Sequence, residues 1–296
     1  MSTAPEAGTT PDLSALRRPS GAYAMLAVDQ REALRAMFAG HQDAPVPDAQ
    51  LTRFKVAAAR ILSPHASAVL VDRQFGLDPV VDEGALAPGC GLIAAADHFE
   101  PDHGELVGRT SIDRDVDPRA VKEQGAVALK LLILHRPDGA PAHRIAMVEE
   151  FVDMCRRAGL ISIVEPVSRP PVSGGEWDWD DGVLAAASEL GSLGADLYKA
   201  EVPLHGRGDP DSVRRRCARI TESVAGPWVV LSSGVEQDDF PRAVELACRE
   251  GAAGFLAGRA VWASCIGAPD LERDLHESAV PRLRALCDVV DSTVGR

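Results

Sequence analysis

Ala195-Asp196-Leu197-Tyr198-Lys199-Ala200-Glu201-Val202-Pro203 is an apolar run of strand length that carries a lysine and a carboxylate inside it. Lys55, Lys122, Lys130 and Lys199 are all the lysines of the chain, and arginine supplies most of the 31 Lys and Arg residues. Two of the four, Lys130 and Lys199, fall in hydrophobic strand patterns, where an unpaired charge is costly to bury. A primary amine has one use there that a guanidinium lacks: it can be made neutral and nucleophilic toward a carbonyl. The plainer reading is an ion pair, with Glu201 as the nearest partner in sequence.

Outward from this run, the chain alternates short apolar segments with amphipathic ones, as consecutive βα units do. Eight segments read as strands: Ala22–Val28, Ala68–Val71, Gly91–Ala96, Val127–Leu134, Ile161–Val167, Asp196–Val202, Trp228–Leu231 and Gly254–Ala257. Helical periodicity runs through Asp48–Leu62, His143–Ala158, Asp180–Leu193, Pro210–Val224, Asp238–Glu250 and Ser278–Val294, with caps or Gly/Pro stops nearby. Eight strands with intervening helices in 296 residues predict an α/β protein, a single (β/α)₈ TIM barrel over residues 21–296 behind a flexible tail over 1–20. A doubly wound open sheet is the competing fold. It lacks a G-x-G-x-x-G after the first strand, where Asp29-Gln30-Arg31 stands.

With 46% hydrophobic and 25% charged residues the composition is that of a soluble globular protein. A net charge of -13 argues against nucleic acid as a partner. Cys90, Cys155, Cys217, Cys248, Cys265 and Cys287 show no C-x-x-C spacing, which predicts reduced thiols in a cytoplasmic protein. Neither a leader pattern nor a membrane-length apolar run is present in the sequence.

In a barrel, chemistry sits at the C-terminal ends of the strands. Those ends are polar here: Asp29-Gln30-Arg31, Asp72-Arg73-Gln74, Asp97-His98, Lys130, Glu165, Lys199 with Glu201, Ser232-Ser233-Gly234 and Gly258-Arg259. Taken singly, Asp72 and Asp97 read equally well as helix caps; together the set implies one pocket. Lys130 and Lys199, on strands four and six, can enter the same interior layer, where a second cation would disfavour protonation of its neighbour. Glu165, on the strand between them, is placed to move protons. Ser232, Ser233, Gly234, Gly258 and Arg259 offer hydroxyls, accessible backbone and a guanidinium fork suited to a phosphate.

The histidines lack H-x-x-x-H or H-x-H spacing, and a Mg²⁺ held by Glu165 and Asp97 is the remaining metal reading. No G-x-S-x-G is present and no cysteine stands at a strand end, so serine or thiol nucleophiles have little support.

Several segments resemble the class I, Schiff-base aldolases that include tagatose 1,6-bisphosphate aldolase and sulfofructosephosphate aldolase. They are Ala24-Met25-Leu26-Ala27-Val28-Asp29-Gln30-Arg31-Glu32-Ala33, Ala128-Leu129-Lys130-Leu131-Leu132, Ile163-Val164-Glu165-Pro166-Val167, Asp196-Leu197-Tyr198-Lys199-Ala200-Glu201, Leu231-Ser232-Ser233-Gly234-Val235 and Gly254-Phe255-Leu256-Ala257-Gly258-Arg259-Ala260-Val261-Trp262. The likeness spans about Gly21 to Val290. Arg169-Pro170-Pro171 and Lys55-Val56 with Ile61-Leu62-Ser63-Pro64 are most similar to the sulfofructosephosphate branch. Members of that branch cleave 6-deoxy-6-sulfofructose 1-phosphate into dihydroxyacetone phosphate and 3-sulfolactaldehyde in sulfoquinovose degradation. The resemblance implies Lys199 as Schiff-base lysine and Glu165 as proton shuttle. Lys130, Asp29 and Gln30 would assist with protons and substrate hydroxyls, and Ser232, Ser233, Gly258 and Arg259 would hold an anion. Arg31 and Arg169 are equal candidates for the distal anion. It also implies a sugar phosphate or sulfonate substrate, no cofactor, no metal and a homo-oligomer, with a tetramer as one form. The alternatives are a tagatose or fructose 1,6-bisphosphate aldolase of the same family, a non-catalytic sugar-phosphate-binding regulator, and a metal-dependent lyase.

Overall fold

The computed structural model describes residues 12–294. Its strands are β1 (Tyr23–Ala27), β2 (Ala68–Val71), β3 (Gly91–Ala95), β4 (Asp97–Asp102), β5 (Glu105–Ile112), β6 (Ala126–His135), β7 (Ile161–Ser168), β8 (Leu197–Ala200), β9 (Trp228–Val230) and β10 (Gly254–Ala257). Eight of them close a parallel barrel in the order β1-β10-β9-β8-β7-β6-β3-β2, while β4 and β5 form a separate antiparallel hairpin. The eight apolar runs of the sequence are the eight barrel strands, with ends shifted by one or two residues. The fold is the (β/α)₈ barrel.

Helices α1 (Glu32–Ala39), α2 (Asp48–Leu62), α3 (Leu77–Asp82), α4 (Pro118–Glu123), α5 (Pro141–Ala158), α6 (Trp179–Leu190), α7 (Pro210–Ser223), α8 (Phe240–Arg249), α9 (Arg259–Trp262), α10 (Leu271–Asp274) and α11 (Val280–Thr293) accompany the strands. Their stripes, among them Leu51, Phe54, Phe151, Val213 and Phe240, pack on the outward residues of the strands in one continuous core. None of the helices among the described residues is long and apolar enough to cross a membrane.

The inward residues form a second core: Tyr23, Met25 and Ala27 on β1, Ala68 and Leu70 on β2, Ile93 and Ala95 on β3, Ala128 on β6, Ile161 and Ile163 on β7, Leu197 on β8, Val229 on β9 and Leu256 on β10. Because side chains alternate along a strand, each inward row can be extended two residues at a time. That step lands on Asp29, Asp72, Asp97, Lys130, Glu165 and Lys199. The barrel therefore passes from apolar to ionic along its own axis, and the pleat alone dictates which residues form the ionic layer.

Residues 12–20 depart from the expected flexible tail. Leu13–Leu16 form a 3₁₀ turn capped by Asp12, and Leu16 is buried in the interior core. Arg17 donates to the Tyr23 hydroxyl at 2.9 Å, and Arg18 pairs with Asp291 at 2.7 Å. A Cβ on Gly91 would stand 2.6 Å from the Ala15 carbonyl, so glycine there lets the segment close the N-terminal end of the barrel. Residues 1–11 of that expected tail lie outside the described residues.

Candidate active site

The ionic layer is built around Lys130, whose side chain is fully buried. Its ammonium lies 2.6 Å from Asp29 Oδ2, 2.7 Å from Asp97 Oδ2 and 3.2 Å from Glu165 Oε2. Three carboxylates thus surround one ammonium. Burial acts to lower the Lys130 pKa, but Asp29, Asp97 and Glu165 outweigh it and raise the value above that of a free lysine. At Asp29 burial acts upward, and Lys130, Lys199 and Arg31 overcome it to hold the carboxyl well below its ordinary range. Both therefore stay charged at neutral pH. Register explains how the carboxylates converge: Ala95 pairs with Lys130 and Leu132 with Glu165, which brings Asp97 and Glu165 beside the lysine head from either neighbouring strand.

Lys199 is 4% exposed, and its Nζ lies 2.8 Å from Glu165 Oε1. Glu165 therefore bridges the two lysines, one oxygen to each. Two expectations change here. Lys199 pairs with Glu165 rather than Glu201, whose carboxylate accepts the Ser168 N–H at 2.7 Å and lies 3.9 Å from Arg169. The sequence reading has Lys130 as a second cation that disfavours protonation of Lys199, but its three carboxylates offset that field and make it the hub around which Asp29, Asp97 and Glu165 gather.

Asp97 also accepts from Arg31 Nη2 at 2.8 Å and from the Leu132 N–H at 3.0 Å. The Arg31 guanidinium is covered by the Phe99 ring, 4.4 Å from its centroid, so the β4–β5 hairpin roofs this side of the site. Lys55 and Asp72, both fully buried, form a further pair at 2.5 Å within reach of the Arg31 and Asp29 charges. Formal charges cancel across the set: Lys55, Arg31, Lys130 and Lys199 face Asp72, Asp97, Asp29 and Glu165.

On the opposite side, Arg259 Nη2 donates to Ser233 Oγ at 2.9 Å, tying the loop after β9 to the loop after β10. Gly234 has φ +75°, and a Cβ on it would stand 2.6 Å from the His205 ring. That ring stacks on Trp179 at 3.9 Å, in a turn where Leu204 and His205 both have positive φ. Gly258 is as confined, because a Cβ there would stand 2.3 Å from the Ala27 carbonyl and 3.2 Å from the Gln30 amide nitrogen. Gln30 Oε1 and Arg31 Nε are buried without protein partners. Asp29, Gln30 and Arg31 from β1, Lys130, Glu165, Lys199, Ser232, Ser233, Gly234, Gly258 and Arg259 thus all stand at the C-terminal end of the barrel.

Sequence reasoning placed Asp72 and Asp97 among the polar strand ends without giving either a role in the Schiff-base chemistry, and it passed over Lys55 as a member of this set. The usable signal was parity, since Asp72 and Asp97 each stand two residues beyond an inward strand residue. Asp72 does not cap a helix: its Oδ2 accepts the Phe75 N–H at 2.8 Å in the turn before α3, whose N-cap position is Gly76. The proposed Mg²⁺ ligands Asp97 and Glu165 have the Lys130 ammonium between them, and no group of three His, Cys, Asp or Glu suited to a metal occurs among the described residues. All six cysteines are free, Cys90 half-buried and the rest buried, and burial raises their thiols, Cys90 for one to about 12.

The barrel superposes on fructose-bisphosphate aldolase from Plasmodium falciparum with a TM-score of 0.69 at 14% identity, over 96% of this chain and 94% of that one. An archaeal fructose 1,6-bisphosphate aldolase gives 0.62 at 18% identity, over 95% and 98%. In sequence, the tagatose 1,6-diphosphate aldolase of Listeria monocytogenes is 26% identical over 281 residues, 86% of this chain and 81% of the relative. The protein of the same name from Staphylococcus aureus is 26% identical over 285 residues, 85% and 83% of the two chains. A family profile described as DeoC/LacD family aldolase matches residues 23–264, and the chain belongs to that family of carbon–carbon lyases.

Proposed function

We propose that the protein is a class I aldolase that forms a Schiff base through Lys199 and cleaves 6-deoxy-6-sulfofructose 1-phosphate to dihydroxyacetone phosphate and 3-sulfolactaldehyde. The observation that carries this reading is the buried Lys199 amine at the end of β8 with the Glu165 carboxylate at 2.8 Å. Transfer of a proton from Nζ to Oε1 frees the amine without changing the charge of the layer. The amine attacks the C2 carbonyl, Glu165 returns the proton to the carbinolamine hydroxyl, and water leaves to give an iminium. Glu165, again a carboxylate, takes the C4 hydroxyl proton as the C3–C4 bond breaks, and its electron pair enters the iminium to form the enamine. Protonation of the enamine at C3 and addition of water release dihydroxyacetone phosphate and restore Lys199.

Ser232, Ser233, Gly234, Gly258 and Arg259 hold the C1 phosphate in this reading, and Gln30 meets sugar hydroxyls. For the distal sulfonate Arg169 is the better arm, because Arg31 is committed to Asp97 beneath Phe99. The names of the relatives support a second reading, a tagatose 1,6-bisphosphate aldolase, whose substrate carries a phosphate ester at C6 and the opposite configuration at C4. Comparing kcat/KM for the sulfonated and bisphosphorylated ketoses separates the two, with the sulfonate expected to be preferred. A clear preference for the bisphosphate replaces the first reading with the second. Activity abolished by EDTA and restored by a divalent ion favours a metal-dependent lyase, and absence of turnover on either ketose favours a binding protein.

A further inference from the structure

Lys55 is contributed by α2, outside the catalytic strands, yet its ammonium donates two hydrogen bonds to the chain just beyond β1 and forms an ion pair just beyond β2. Nζ donates to the Val28 carbonyl at 2.5 Å and the Gln30 carbonyl at 2.7 Å, and pairs with Asp72 Oδ1 at 2.5 Å. The Lys55 stem runs close beside Gly76, where a Cβ would come 3.3 Å from its Cδ. Asp29, whose carboxylate meets Lys130, lies between the two carbonyls that Lys55 grips. The preceding carbonyl, that of Ala27, accepts from the Trp262 indole at 3.0 Å. Three carbonyls at the end of β1 are therefore held by side chains rather than by the sheet. A buried ammonium is an expensive way to satisfy two carbonyls if packing alone were at stake.

We infer that Lys55 is a positioning residue for the Schiff-base site: by gripping the carbonyls on either side of Asp29 it fixes the Asp29 carboxylate against Lys130 and the Gln30 amide toward the substrate. The inference rests on the Schiff-base reading above. Displacement of catalytic groups by about 1 Å can cost on the order of 100-fold in rate.

The test is the rate at which dihydroxyacetone phosphate and borohydride modify Lys199, read by mass alongside the melting temperature. Lys55→Met leaves Asp72 unpaired, so the Lys55→Met/Asp72→Asn double variant is made with it to remove both charges. Asp72→Asn alone keeps the grip on the carbonyls. The double variant is expected to regain much of the thermal stability lost by Lys55→Met yet still react about 100-fold more slowly than wild type; Asp72→Asn, which leaves the Lys55 ammonium on the two carbonyls, is expected to lose less reactivity than Lys55→Met. Wild-type reactivity in the double variant, or a loss in Asp72→Asn as large as that in Lys55→Met, overturns the positioning role. No adduct in the wild-type protein overturns the Schiff-base reading itself.

Discussion

Glu165 touches both Lys199 and Lys130, so its two oxygens do different work. In the proposed mechanism one exchanges a proton with the nucleophile, while the other lies 3.2 Å from the Lys130 ammonium, which Asp29 and Asp97 keep protonated. Glu165→Gln keeps the shape and can still accept a hydrogen bond, but it cannot carry a proton. Its kcat is expected to fall by about 10²- to 10⁴-fold in steady-state cleavage assays with little change in KM; a loss below tenfold would place the proton carrier elsewhere. Glu201 is the complementary case. Burial raises its pKa to about 7 against an ordinary 4.5, with the Ser168 N–H and Arg169 only partly opposing it and Glu165 adding to it. A folded-state value above the unfolded one means that the folded protein binds the extra proton, so stability falls as pH rises from about 4.5 to 7 and stays reduced above that, by about 3 kcal/mol. Glu201→Gln removes this cost while its amide oxygen still accepts from Ser168. The melting temperature of the variant relative to wild type is expected to climb between pH 5 and pH 8, and a difference independent of pH would contradict this account.

At the scale of elements, the strand ends matter more than the strands. The end of β1 passes so close to the loop after β10 that Gly258 has no room for a methyl group against the Ala27 carbonyl. Gly258→Ala is expected to cost about 1–3 kcal/mol in urea unfolding and to raise KM for the phosphorylated ketose, because the same shift displaces Gln30 and Arg259. An unchanged KM would separate this glycine from the substrate site. The β4–β5 hairpin is the element that the sequence concealed. Its two-residue turn, His103-Gly104, has φ of +50° and +78°, the geometry of a primed hairpin turn. His-Gly lacks the usual Asn-Gly or Asp-Gly signal, and few residues of the flanking strands are buried, so hydrophobic alternation is faint there. Barrel strands have the opposite property, buried on both faces, and their continuous apolar runs are legible without a structure.

For the whole molecule, closure of the barrel converts a one-dimensional pattern into a site. Lys130, Glu165 and Lys199 were legible because charge inside an apolar run is rare enough to mark itself. Lys55 was not, because on an amphipathic helix such as Asp48–Leu62 a lysine reads as a surface residue, and only the fold shows that its head turns inward to the end of β1. Arg31 was legible as a polar strand end but not in its direction, which depends on a carboxylate from β4 and an aromatic ring from the hairpin. The central claim is that, of four lysines, Lys199 is the one that bonds to the substrate carbonyl. Incubation with dihydroxyacetone phosphate, reduction with borohydride and peptide mapping by mass tests it most directly. The adduct is expected on Lys199 and absent from Lys130 and Lys55; no adduct, or an adduct on either of those buried lysines instead, would contradict it.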